Sequence, residues 1–151
     1  MNLSSIISRS FYLIIAISCY STSVFSQSSG DDEAIQQVID NYVVGWRTAD
    51  TVLLSQAFDL DAGVVLWVDR KANPEQLNSM TLKALMGRVK KQEGYGINYT
   101  IGELKVIDSQ LAIAMVKIPS QKGHYIDTLE LQKINDQWKI VLKSFVYFSK
   151  V

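Results

Sequence analysis

Few residues in this chain could do chemistry, and elimination by type removes most combinations. His124 is the only histidine and Cys19 the only cysteine, so no nitrogen and sulfur cluster can hold zinc, and no Asp/Glu group stands at calcium-ligand spacing. Asp59, Asp61 and Gly63 have a superficial likeness to a calcium loop, but they suit a helix-to-strand turn better. Gly94 and Gly96 lack the Lys-Ser/Thr pair and the following helix of a phosphate loop. A nucleophilic triad needs a histidine near a hydroxyl and an acid; His124, beside Gly123 at a strand entrance, reads as a surface residue. Neither a metal nor a cofactor is expected.

Asp127 survives this elimination because of its place in a hairpin. Asn135-Asp136 between two alternating segments predicts a two-residue turn. Ile134 then opposes Gln137, Lys133 opposes Trp138, Leu131 opposes Ile140, Leu129 opposes Leu142 and Asp127 opposes Ser144. Alternation puts Tyr125, Asp127, Leu129, Leu131, Trp138, Ile140, Leu142 and Ser144 on one face, with Lys143, Glu130 and Val141 on the other. The first face is apolar and should meet the helices. Burial there favours the neutral form of a carboxyl, which suits a general acid or base; a structural bond to Ser144, Tyr125 or a helix residue is the other reading of Asp127. Tyr42 and Trp46 on the first helix, and Trp67 on the first strand, supply rings for the same region, either as walls of a small-molecule pocket or as ordinary core.

The elements that position these residues are legible from periodicity. A helix is predicted from Asp31 to Glu33 onward, with Ile35, Val38, Ile39, Tyr42, Val43 and Trp46 on its apolar face and Gln36, Gln37, Asp40 and Arg47 outside it. Asp50 is a suitable N-cap for a second helix over 51–58. A strand follows over 64–68. Asn73 and Pro74 predict the start of a third helix reaching Lys91, with Leu77, Thr81, Ala84, Leu85 and Val89 inside and a basic C-terminal half. The period then changes to two, giving strands over 97–107, 111–118, 125–134 and 138–148, joined by connections short enough for antiparallel pairing. This order predicts an α+β fold, a curved antiparallel sheet packed on three N-terminal helices.

The same order resembles the nuclear transport factor 2-like, cystatin-like fold, in which a bent sheet wraps a long helix to form a cone. The closing hairpin carries the resemblance further: Tyr125, Asp127, Leu129, Leu131 and Lys133, the turn Asn135-Asp136, then Trp138-Lys139-Ile140-Val141 and Lys143. It is similar to the branch labelled putative lumazine-binding, whose Tyr-x-Asp-x-Leu strand turns into a Trp-Lys-Ile strand. Tyr42, Trp46, Asp50, Phe58 and Asp61 fit as well, so the likeness spans the mature chain. Asp136 departs from the family's usual Gly, and Leu142 from its usual Asn. The resemblance implies a pocket between helix and sheet, and it does not carry lumazine over as the ligand.

Residues 1–26 stand apart from the core. Arg9, the apolar run from Phe11 to Ile17, and Val24 and Ser26 before Gln27 read as a signal peptide. Residues 27–31 read as a short polar leader and 32–151 as the domain. Ala16, Ile17, Ser18 and Cys19 resemble an imperfect lipobox, so a lipid anchor at Cys19 is the competing reading. The apolar run falls short of the roughly 20 residues that span a bilayer, so no transmembrane anchor is expected. Removing 1–26 leaves 14 basic residues against 15 acidic ones, a balance without a nucleic-acid footprint.

The leading expectation is an exported, periplasmic or secreted domain that binds a small apolar or aromatic molecule at Tyr42, Trp46, Trp67, Tyr125, Asp127, Trp138 and Ser144. Alternatives are an isomerase- or dehydratase-like enzyme with Asp127 as its acid/base, and a non-catalytic module that forms a homodimer through the outer sheet face. The exported form should begin at Gln27 without lipid. Intact-mass measurement checks this, and a diacylglyceryl group on Cys19 would give the opposite result.

Overall fold

A computed structural model describes residues 29–91 and 97–150. The expected signal peptide, Cys19, residues 27 and 28 of the leader, and Gly94 and Gly96 lie outside them. Helix α1 runs Ser29–Thr48, with Asp31 and Asp32 in its first turn and Arg47 in its last, each sign matched to the helix dipole. Gly30 and Asp31 are therefore helical rather than part of a leader. Ile35, Val38, Ile39, Tyr42 and Val43 are buried as the periodicity predicts, but so is Arg47, which the pattern put outside the apolar face. Ala49, at φ 58°, breaks the helix. Asp50 then accepts from the amides of Val52 and Leu53 and caps α2, Thr51–Ala57, a cap contributing about 1 kcal/mol.

Six strands follow: β1 (Val64–Val68), β2 (Leu77–Thr81), β3 (Thr100–Val106), β4 (Leu111–Ser120), β5 (Gly123–Ile134) and β6 (Gln137–Ser149), in the order β2-β1-β6-β5-β4-β3. Four of the five pairings are antiparallel, whereas β1 runs parallel to β6. The curved sheet is thus mixed and not purely antiparallel. The parallel pair arises because β1 enters from α2 alongside the chain's last strand, and no short connection dictates its direction.

The expected third helix is mostly replaced. Residues 77–81 extend along β1 as an edge strand, and only Leu82–Met86 form α3, capped by the Thr81 hydroxyl. Of its expected inner face only Leu85 is buried, while Leu77, Thr81 and Ala84 are exposed. An Asn-Ser-Met-Thr run has little helix preference, and pairing satisfies the open edge of β1. Gly63 fits this corner because a Cβ there would come within 2.3 Å of the Asp59 carbonyl oxygen and 2.4 Å of Leu82 Cδ1.

The β5–β6 hairpin decides which side chains meet the helices. Asn135 and Asp136 both have positive φ, 50° and 60°, as the predicted turn requires. Ile134 faces Gln137, Lys133 faces Trp138 and Leu131 faces Ile140, as expected. A β-bulge then intervenes, so that Glu130 pairs with Leu142, Leu129 with Lys143, Thr128 with Ser144 and Asp127 with Phe145. One extra residue on β6 reverses every face assignment beyond it. Lys143 and Phe145 turn inward, while Leu142 and Ser144 join the outer face, contrary to the simple alternation.

At the turn end of the hairpin, Trp138 is 3% exposed and donates its indole N–H to Asp31 at 3.0 Å. Lys133 pairs with the same carboxylate at 2.8 Å and lies 5.6 Å from the Trp138 ring centroid. The start of α1 is thereby fastened to the sheet. Trp138→Ala is expected to lower stability by about 3–5 kcal/mol, measured by denaturant unfolding; a loss below about 1 kcal/mol would contradict this burial.

Candidate functional site

The bulge brings a third polar group, Lys143, to two that alternation already places on the same side, Asp127 and Tyr42. Asp127, at mid-β5, is 1% exposed, and Lys143, on β6 past the bulge, is 5% exposed. Their Nζ–Oδ2 distance is 2.8 Å. Tyr42, on the buried stripe of α1, donates its hydroxyl to the same oxygen at 2.5 Å. The ammonium lies 4.5 Å from the Phe145 ring centroid and 5.6 Å from that of Tyr42, so the charge left without water faces two π clouds. Asp127 Oδ1 is also buried and has no hydrogen-bond partner among the described residues.

The electrostatics follow from this geometry. Burial pushes the Tyr42 pKa well above the usual phenol value, and the Asp127 charge and hydrogen bond push it the same way. Both effects hold the Tyr42 hydroxyl in its protonated, donating form. Burial lowers the Lys143 pKa, against the opposing pull of Asp127. Its amine loses its proton more easily than a surface lysine does.

Aromatic side chains lead away from this pair along the inner face. Phe145 stacks near-parallel with Trp67 at 6.2 Å and 14°, and meets Tyr125 edge-on at 6.2 Å. Tyr125 in turn lies 4.8 Å from Tyr147. The two tyrosines are each 38% exposed, so the row runs from solvent to the buried amine. On the helix side, Tyr42 packs on Phe58 at 5.4 Å.

Of the residues expected at the site, Asp127 and Tyr42 touch, and Tyr125 and Trp67 join them through Phe145. Trp138 is elsewhere, bonded to Asp31 near the turn. Trp46 is half-buried against the core and makes no contact of this kind. Ser144 is on the outer face, where it lines a groove of about 310 Å³ that Trp67 and Phe145 also border, with Leu66, Leu77 and Ile126. A second depression of about 440 Å³ is lined by Asp32, Glu33, Gln36 and Leu104. Neither includes Asp127 or Lys143, so the expected aromatic-walled cavity around the pair is not one of these depressions. His124 stacks on Phe148 at 5.2 Å, on the outer face. Sequence reasoning missed Lys143, Phe145 and Tyr147. The available signal was the adjacent pair Val141-Leu142, two apolar residues in succession where strict alternation allows one.

Comparison with known proteins adds a family. Residues 30–146 match a family model described as "Putative lumazine-binding". Among solved structures, the chain is similar to a nuclear transport factor 2-like protein of unknown function from Shewanella baltica, with a TM-score of 0.66 at 17% identity, covering 80% of this chain and 96% of that one. A corresponding protein from Silicibacter pomeroyi gives 0.68 at 16% identity over 80% and 98%. A cystatin-like domain of unknown function from Nostoc punctiforme gives 0.59 at 13% over 82% and 81%. No curated protein matches the chain. At such identities the structural likeness carries the fold and not the chemistry.

The buried pair makes a stability prediction with a built-in control. Asp127→Asn leaves the Lys143 charge without its counter-ion and should cost about 3–5 kcal/mol. The double variant Asp127→Leu with Lys143→Met removes both charges and should recover most of that loss. Denaturant unfolding of the two variants beside the wild type checks it; equal losses in both would mean that packing, and not charge, accounts for the effect.

Proposed function

The chain belongs to the putative lumazine-binding family of the nuclear transport factor 2-like superfamily, and we propose that it is an exported domain that binds a small flat aromatic molecule along the row Trp67, Phe145 and Tyr125. The observation that carries this reading is Asp127 Oδ1, a buried acceptor without a donor among the described residues, at the inner end of that row. A buried polar atom left unpaired costs about 1–3 kcal/mol. A ligand N–H or O–H donated to Oδ1 would remove that cost while its ring stacks on Phe145. Few polar groups against aromatic surface is the usual chemistry of small-molecule recognition. Export rests on residues 1–26, whose pattern is that of a cleaved leader.

The same oxygen supports a second reading, an acid/base enzyme of the isomerase or dehydratase type. With Oδ2 held by Tyr42 and Lys143, Oδ1 is the atom that would accept a substrate proton. The outer face serves a separate role in this proposal. It exposes Ile113, Met115 and Phe148, an apolar surface suited to pairing with a second copy of the chain.

Native mass spectrometry of the protein purified from its own source is expected to reveal a retained small molecule. The Asp127→Leu, Lys143→Met double variant should fold and lose it. Retention of the same mass by that variant would overturn the assignment of the site.

A further inference from the structure

We propose that Lys143 is a covalent capture site, forming an imine with an aromatic aldehyde or ketone seated on Phe145, Trp67 and Tyr125. The inference rests on the ligand-binding reading above and names the ligand's reactive group. Three features of the geometry point to it. The amine sits 2.8 Å from a carboxylate that can take its proton. It lies 4.5 Å from the centroid of Phe145, so a ring stacked on the aromatic row would hold its carbonyl beside Nζ. It is enclosed by rings, with its side chain only 7% exposed, and this slows hydrolysis of an imine once formed. Burial favours the neutral amine, the nucleophilic form, in the manner of lysines desolvated in apolar pockets.

The steps balance within the residues present. The Lys143 ammonium gives one proton to Asp127. The neutral Nζ adds to the carbonyl carbon; the π electrons move to oxygen, and one N–H proton follows to give a carbinolamine. Its hydroxyl leaves as water with the proton held by Asp127, and the nitrogen lone pair closes the C=N bond. Lysine ammonium and carbonyl thus become protonated imine and water, with no redox change. The product is a cation beside the regenerated Asp127 carboxylate, so the buried ion pair is preserved. Tyr42, donating to Oδ2 at 2.5 Å, holds that carboxylate in place throughout.

The test is reductive trapping. Wild-type protein is incubated with benzaldehyde and sodium cyanoborohydride, and adducts are located by peptide mass mapping; benzyl alcohol, which has the same ring but no carbonyl, is titrated in parallel by tryptophan fluorescence. The expected result is a first, saturable adduct on Lys143 that benzyl alcohol suppresses. The adduct should be lost in the Asp127→Leu, Lys143→Met variant, whose melt reports that it is folded. Benzyl alcohol binding with labelling confined to surface lysines overturns the imine and leaves the ligand site standing. Absence of both binding and Lys143 labelling overturns both.

Discussion

An ion pair taken out of water is the constraint on which this structure turns. Burying a lysine and an aspartate costs several kcal/mol per ion even after relaxation, and their attraction offsets this only with good geometry and further hydrogen bonds. Lys143 and Asp127 have the geometry, at 2.8 Å, and Tyr42 supplies one further bond. The remaining requirements are met by position. Two ring faces take the place of water around the ammonium, and the bulge on β6 turns Lys143 toward the core in the first place. Without the bulge, Leu142 and Ser144 would occupy the inner face and Lys143 the outer one, leaving the aspartate without its counter-ion. The bulge and the pair therefore imply each other.

The same constraint fixes how α1 lies on the sheet. Tyr42 must reach Asp127, so the helix cannot slide by a turn without breaking a buried hydrogen bond. Polar ties along its length hold that position. Near its start, Asp31 receives Trp138 and Lys133 from the closing hairpin. Further along the helix, Tyr99 donates to Asp40 at 2.7 Å and receives from the Gln36 amide; burial, then the Asp40 bond, raise the Tyr99 pKa to above the normal phenol range, keeping it a donor. At the far end, Arg47 donates to the carbonyl of Pro119 on β4. The apolar stripe supplies most of the adhesion, while these bonds set the register.

What could be read in the sequence was what local chemistry decides. The stripe of α1 from Ile35 to Val43, the Asp50 cap and the Asn135-Asp136 turn depend on residues a few positions apart, and each appears in the structure where spacing put it. The burial of Asp127 was legible too, because the extra residue of the bulge lies on β6 and alternation along β5 runs unbroken from the turn to Asp127. Face assignment on β6 failed beyond Ile140, since a bulge inserts one residue without any Gly or Pro to announce it. The edge strand β2 and the parallel pairing of β1 were hidden for a different reason. Both depend on which hydrogen-bonding edges remain open once the rest of the sheet has formed, and a residue such as Leu77 carries no local mark of that. The cluster was accordingly half legible: Asp127 and Tyr42 were expected near one another and are, while Lys143 was placed on the wrong face.

Whether the pair serves stability alone bears on the proposed ligand site, and the magnitudes weigh against a purely structural pair. Apolar side chains of similar volume often stabilise a core as well as a buried ion pair does, or by about 1–4 kcal/mol better. The surrounding positions, Leu129, Leu131 and Ile140, are all fully buried apolar residues, so this core already uses that solution next door. A pair serving only to fix strand register would be expected to have all its polar atoms satisfied, because each orphan erodes its benefit. Here one carboxylate oxygen is left over, beside an amine whose proton burial has loosened, at the end of a row of rings that reaches solvent. The first two are costs to a purely structural pair, and all three have a use in the ligand site proposed above.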